Sequence, residues 1–215
     1  RFFIFLLFLF SQCSVGAQLP SLPTVFERDD HASATYEETI AWYRQLAGRY
    51  PELALFERGS TDAGLPLHVA VLSADGDFSP ASLRARGKRI VFINNGIHAG
   101  EPCGVDASML LLRDYLERDE LRRYLDRVVL VVIPFYNVGG ALSRGSFSRA
   151  NQNGPAAYGF RGNAKNLDLN RDFIKCDSRN AQTFNQLFRE WQPDVFLDNH
   201  TTNGADYPYV MTLIA

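Results

Sequence analysis

The chain has 215 residues, enough for one domain with its own hydrophobic core. Its composition, 46% hydrophobic, 13% aromatic and 21% charged, is that of a globular protein and excludes a disordered tail, a collagen-like repeat and a coiled coil. Lys and Arg total 22 against 24 Asp and Glu, so a net charge of −2 offers no footprint for nucleic acid or an anionic membrane, and any partner must be recognised locally.

The chain opens with Arg1 and nine apolar residues at 2–10, followed by the small-residue run Ser14, Val15, Gly16 and Ala17. That is the layout of a secretory signal peptide over residues 1–17, cleaved after Ala17. The apolar run is about half of the ~20 residues that a spanning helix needs. A lipid anchor at Cys13 is the alternative, and Gln12 is a poor residue to precede it. A leader makes the protein secreted or periplasmic, where disulfides are permitted; Cys103 and Cys176 remain after its removal, and their pairing stays open.

Residues 18–30 form a Pro-containing lead-in to a domain over residues 31–215. Thr35 and Glu38 read as a capping box, and Tyr36, Ile40, Tyr43, Ala47 and Tyr50 follow at helical spacing until Pro51. Residues 67–72 read as a short strand and residues 89–94 (RIVFIN) as a strand buried on both faces. A Gly-flanked turn with His98 and Glu101 leads into an amphipathic helix over about 105–117, with Val105, Met109, Leu112 and Leu116 on one side. The near-continuous β-branched run at 128–135 (VVLVVIPF) suits a parallel strand covered on both faces. Asp177 or Ser178 caps a helix with a stripe of Ala181, Phe184, Phe188 and Trp191, and residues 194–199 form a strand ending at His200. The alternation predicts an α/β domain with a mixed, largely parallel sheet flanked by helices. The run 207–215 also reads as a strand, and residue 1 is not Met, so the domain is expected to be an incomplete piece of a longer protein.

Residues 137–177 are Gly-, Asn- and Arg-rich and too long for a plain connector, which marks them as functional. Two of the four His, His98 and His200, lie just beyond the C-terminal ends of predicted buried strands, the edge at which open α/β sheets bind ligands. His98 and Glu101, three residues apart on a turn, can point at one ion, and His200 can complete the set from another strand. Two His and one Glu with a water form a ligand set for catalytic zinc, with bonds of ~2.0 to 2.2 Å. The competing reading is that the H-x-x-E spacing arises by chance and each His is a satisfied core or loop residue. The long segment adds Arg161, Asn170 and Arg171, and Arg forks recognise planar carboxylates through paired hydrogen bonds. Their plain alternative is surface pairing with Asp168 and Asp172.

The residues Ile97-His98-Ala99-Gly100-Glu101, Asn137 at a strand end, Arg161, Asp168-Leu169-Asn170-Arg171 and Leu197-Asp198-Asn199-His200 together resemble the zinc carboxypeptidase family, metallopeptidases of the carboxypeptidase A and B type. The resemblance covers residues 90–200 by motif. It implies that His98, Glu101 and His200 bind Zn2+, that Asp168 accepts a hydrogen bond from the first zinc His, and that Asn170 and Arg171 hold the terminal carboxylate of a peptide or protein substrate. Arg161, nine residues before Asn170, is similar to the Arg that polarises the scissile carbonyl; Arg149, placed with the substrate-binding residues, is the reserve candidate for that role because spacing in this loop varies. Asp198 can back His200, since the two alternate onto one strand face, or form an ordinary salt bridge.

The family's general-base Glu lies downstream of the third zinc ligand, so it is expected outside this chain; Glu190, upstream of His200, is not assigned that role. The chain as it stands is expected to hold zinc and turn over little. Three departures from the family pattern stand out: Asn137-Val138-Gly139-Gly140 in place of an Asn-Pro-Asp-Gly turn, Gly100 where an Arg often precedes the zinc Glu, and Cys103 close after Glu101, read as a buried residue or half of a bridge. The sequon Asn199-His200-Thr201 is read as silent beside a zinc ligand. Hydrolysis of the C-terminal peptide bond is the leading expectation. The alternatives are a zinc amidase, deacylase or cell-wall peptide hydrolase of the same fold, and a non-catalytic binding module for carboxylate termini.

Overall fold

The computed structural model describes residues 21–150, 152–202 and 209–213; the leader read at 1–17 lies outside the described residues. The lead-in is more ordered than a connector. Thr24 and Glu27 form a capping box at the start of helix α1 (Val25–Arg28). Arg113 donates to both Glu27 oxygens at 2.6 and 2.8 Å, and Trp42 Nε1 and Arg113 both donate to Leu22 O, which seats the segment on the helices behind it.

Helix α2 (Tyr36–Ala47) begins at the predicted Thr35–Glu38 capping box and buries Tyr36, Ile40, Tyr43 and Leu46. It ends at Gly48, one turn earlier than the Tyr-to-Pro51 pattern suggests. Strand β1 (Leu53–Ser60) then pairs antiparallel with β2 (Pro66–Leu72). No strand is predicted at 53–60, because an edge strand with Glu57 and Arg58 in its middle shows neither clean alternation nor a continuous apolar run. Helix α3 (Pro80–Ala85) follows, capped by Ser79 with Pro80 in its first turn. Then come β3 (Arg89–Asn94), α4 (Cys103–Glu117), the single-turn α5 (Asp119–Arg122) and β4 (Val128–Ile133). The polar stretch after β4 opens with the short helix α6 (Val138–Leu142), and α7 (Arg179–Trp191), capped by Ser178, leads to β5 (Val195–Asp198).

Among the described residues the strands form one sheet in the order β1-β2-β4-β3-β5. It is mixed, as expected: β4, β3 and β5 run parallel, while β2 is antiparallel to both β1 and β4. Strand β4 alternates across two cores, with Val129, Val131 and Ile133 facing the α7 side and Leu130 and Val132 facing α2 and α4. Burial on both faces is why its sequence is continuously apolar rather than alternating. On the α7 side Phe92, Phe184, Phe188 and Phe196 gather with ring centroids 5.5 to 6.2 Å apart, fastening α7 across β3 and β5.

Residues 209–213 form no strand, and Val210 and Met211 are fully or nearly fully exposed. Among the described residues no neighbouring strand lies beside them to supply the ladder that a strand needs; the rest of the 207–215 run lies outside the described residues.

Candidate metal centre

The site grows from the C-terminal ends of two adjacent parallel strands. Asn94 on β3 pairs in register with Asp198 on β5, so the turns that leave the two strands start side by side. The first turn needs glycine at Gly96, where φ is +64° and an added Cβ would lie 2.7 Å from the Phe135 ring. Beneath it Asn95 donates to Ser108 Oγ at 2.9 Å and to Ile133 O at 3.1 Å, and accepts from Asn199 Nδ2 at 2.8 Å. One buried amide thus binds together β4, α4 and the residue before His200. Asn199, the sequon residue, spends its side-chain nitrogen in that contact.

His98 and Glu101 are buried and His200 is one-third exposed, and one ligand atom from each lies within 4.8 Å of the others. Both imidazoles present the same geometry. The Nδ1 atoms face Glu101, at 3.0 Å from His98 to Oε1 and 3.3 Å from His200 to Oε2. The Nε2 atoms face aspartates, at 3.2 Å from His98 to Asp168 and 2.9 Å from His200 to Asp198. An aspartate behind each ring fixes the tautomer that leaves Nδ1 open toward the centre. Asp198 is itself held by Asn94 Nδ2 at 2.9 Å, and Asp168 accepts from Asn170 N at 3.0 Å.

Burial pushes the Glu101 carboxyl up, but hydrogen bonds from His200, His98 and the Thr201 N–H outweigh it and hold the group well below the usual carboxylate range. His200 is pushed up to about 9 by its hydrogen bonds to Asp198 and then Glu101. A cation entering here therefore displaces a proton. The donor set fits zinc: two imidazole nitrogens and a carboxylate converge, and each ring is backed by an acid.

The predicted arginines divide. Arg161 donates from Nε and Nη2 to Asp168 Oδ2 at 3.1 and 2.9 Å, and its Nη1 is 3.4 Å from His98 Nδ1, so the guanidinium flanks the cluster. These bonds and the Asn170 N–H overcome the upward push of burial and lower the Asp168 pKa. Asn137 holds this part of the loop: its Oδ1 caps α6 by accepting from Gly140 N, and its Nδ2 donates to Arg161 O at 2.9 Å. Arg149 donates to Glu101 Oε1 at 2.8 Å, a contact with a cluster member.

Asn170 and Arg171 sit on a 3-10 turn just after Asp168. Arg171 is exposed, donates to Asn170 O at 2.8 Å, and among the described residues has no acidic partner. Among the described residues Asp172 pairs with no Arg; it accepts from Asp177 N and from Ser178, closing the cap of α7. Glu190 is held by Arg58 on β1. Cys103 and Cys176 are both free, and the Cys103 sulfur lies 3.9 Å from His200 O, outside the ligand group. A cavity of about 770 Å³ opens beside the cluster, lined by Arg149, Arg161, Thr201 and Cys103 with Phe26 and Leu110 farther out; Asn170 and Arg171 are not in its wall.

The contacts that sequence reading missed are Asn95, the Thr201 N–H on Glu101 and the path of Arg149. An Asn pair at a strand end is the signal that points to the first. The other two depend on chain crossings that leave no local pattern.

A profile of the zinc carboxypeptidase family matches residues 39–207. Carboxypeptidase 2 of Trichophyton rubrum is 26% identical over 177 residues, covering 80% of this chain and 29% of that protein. Carboxypeptidase 2 of Trichophyton tonsurans is 27% identical over 177 residues with the same coverage. The chain thus spans under a third of the length of these fungal relatives. Among solved structures, a metallo-carboxypeptidase from Burkholderia cenocepacia superposes with a TM-score of 0.62 at 20% identity, covering 81% of this chain and 43% of that one. A metallo-carboxypeptidase from Pseudomonas aeruginosa, in complex with (2-guanidinoethylmercapto)succinic acid, gives 0.62 at 18% identity, with 80% and 41% covered. These two likenesses concern the fold, and the family profile spans all five strands of the sheet and the whole ligand cluster. The chain belongs to the zinc carboxypeptidase family.

Proposed function

We propose that this chain carries the zinc-binding and carboxylate-recognising part of a secreted or periplasmic carboxypeptidase that removes the C-terminal residue of peptides. The observation that carries the reading is the convergence of His98, Glu101 and His200, each imidazole backed by its own aspartate. His98, Glu101 and His200 would hold zinc, the two imidazoles turning their Nδ1 atoms and Glu101 its carboxylate toward one another. Zinc held there would supply a Lewis acid, able to lower the pKa of a bound water to about 7 and to polarise the scissile carbonyl.

The chain's own groups supply the rest of the binding step. Arg161, braced on Asp168 beside His98, stabilises the negative charge that develops on the carbonyl oxygen. Asn170 and the exposed Arg171 receive the terminal carboxylate, for which a guanidinium without an acidic partner among the described residues is suited. The succinic acid derivative bound by the Pseudomonas relative is itself an acid, in keeping with carboxylate recognition. Secretion rests on the leader reading of residues 1–17. Among the described residues no helix is long and apolar enough to cross a membrane.

Metal analysis is the test. The purified protein should contain about one zinc per chain, and His98→Ala or Glu101→Ala should each lose it. Undiminished zinc in both variants would overturn the ligand assignment.

A further inference from the structure

We propose that Arg149 is a positioning residue for the metal ligand Glu101, reaching it through a slot that Gly100 leaves open. The inference rests on the zinc-binding reading above and adds a residue that acts on the ligand rather than on the substrate.

Glu101 is held at both oxygens by groups that are not ligands. Arg149 Nη1 donates to Oε1 at 2.8 Å, and the Thr201 N–H donates to Oε2 at 2.8 Å. The same guanidinium donates through Nη2 to Thr202 O at 3.2 Å, so one side chain spans the turn of Glu101 and the segment after His200. Its side chain is 11% exposed, and a buried planar fork of this kind fixes the rotation of a carboxylate.

The path is built on small residues. A Cβ on Gly100 would lie 2.8 Å from Arg149 Cδ and 2.8 Å from Gly159 O. A Cβ on Gly159 would in turn lie 2.6 Å from Ala99 Cβ. The loop is pinned where Arg149 leaves it: Tyr158 Oη and Gln152 N donate to Arg149 O, and Gln152 Nε2 donates to Gly100 O at 3.0 Å. The absent side chain at 100 and the buried guanidinium from 149 are two halves of one arrangement. The Arg149 charge does not by itself repel a cation from the centre, because Glu101, Asp168 and Asp198 outnumber the guanidiniums of Arg149 and Arg161.

Partners that orient a ligating group typically contribute 10- to 100-fold in metal affinity. The zinc dissociation constant, measured by competition with a chromophoric chelator, should therefore rise by about 10- to 100-fold in Arg149→Met, which keeps the apolar stem in its slot and removes the donor. Arg149→Lys, which restores one cationic donor, should recover most of that loss. Zinc binding in Arg149→Met as tight as in the unmodified protein, or tighter, overturns the proposal, as does an equal loss in the Met and Lys variants. If the unmodified protein binds no zinc, the metal reading fails and the proposal falls with it; normal binding in all three proteins sinks the role of Arg149 alone.

Discussion

The proposed metal cluster and the proposed carboxylate clamp are built by different means. His98, Glu101 and His200 stand on turns that leave two paired parallel strands, and their spacing follows from the Asn94–Asp198 register and from the buried amide of Asn95. Arg161, Asn170 and Arg171 stand on a segment of more than thirty residues between α6 and α7, located by side-chain bonds such as Asn137 to Arg161 O and Arg161 to Asp168 and by scattered backbone bonds such as Phe160 N to Gly140 O, with no strand ladder. Backbone ladders hold position with many shared bonds, whereas a side-chain tether gives way when one partner is lost. Strand ends therefore suit a metal, which demands fixed distances, and the loop suits a substrate end, which must enter and leave.

That division can be broken by substitution. The largest effect is expected at Asp198→Asn, which removes an acid on the strand held by Asn94; zinc affinity measured by chelator competition should fall about 100-fold, against about tenfold for Asp168→Asn on the loop side. Equal losses would mean that the loop supports its ring as firmly as the strand does. Next comes Arg171→Ala, which should raise the dissociation constant of a peptide with a free C-terminus about tenfold and leave an amidated peptide unaffected. The same loss for both peptides would favour the small-amide reading of the site.

The smallest effect lies far from the centre. Arg113 holds the Glu27 carboxyl down to about 2 from 4.5, despite some opposing burial. A depressed pKa gives stability that is complete above about 4.5 and lost as pH falls toward 2. Glu27→Gln should therefore lower stability at neutral pH by about 1 kcal/mol or less, since the pair is partly solvated, and should flatten the decline between pH 5 and 2 followed by thermal melting. Zinc affinity should be unchanged, and a change would show that the lead-in and the centre are coupled.

Much of this architecture was legible in sequence for a physical reason. Strands β3 and β4 are buried on both faces and so read as apolar runs, and α2 and α7 carry their own caps at Thr35 and Ser178. The edge strand β1 and the six-residue α3 were not legible, since a half-exposed strand and a helix of under two turns leave weak patterns. At the site, the two His were readable because each follows an apolar strand, although only β3 is buried as expected: β5 lies at the sheet edge with Val195 and Leu197 exposed. The contact of Arg149 with Glu101 was not legible, because it depends on a missing side chain at a position far away in the chain.

The pairing of β3 with β5 has a consequence for how the molecule assembles. His98 and His200 meet only after a strand of four residues, Val195–Asp198, has docked at the edge of the sheet across a separation of about one hundred positions. Such distant contacts form late in folding, because the loop they close is long. A cation shared by the two imidazoles would then clasp β5 to the inner strand β3, and its uptake during refolding would mark the arrival of β5.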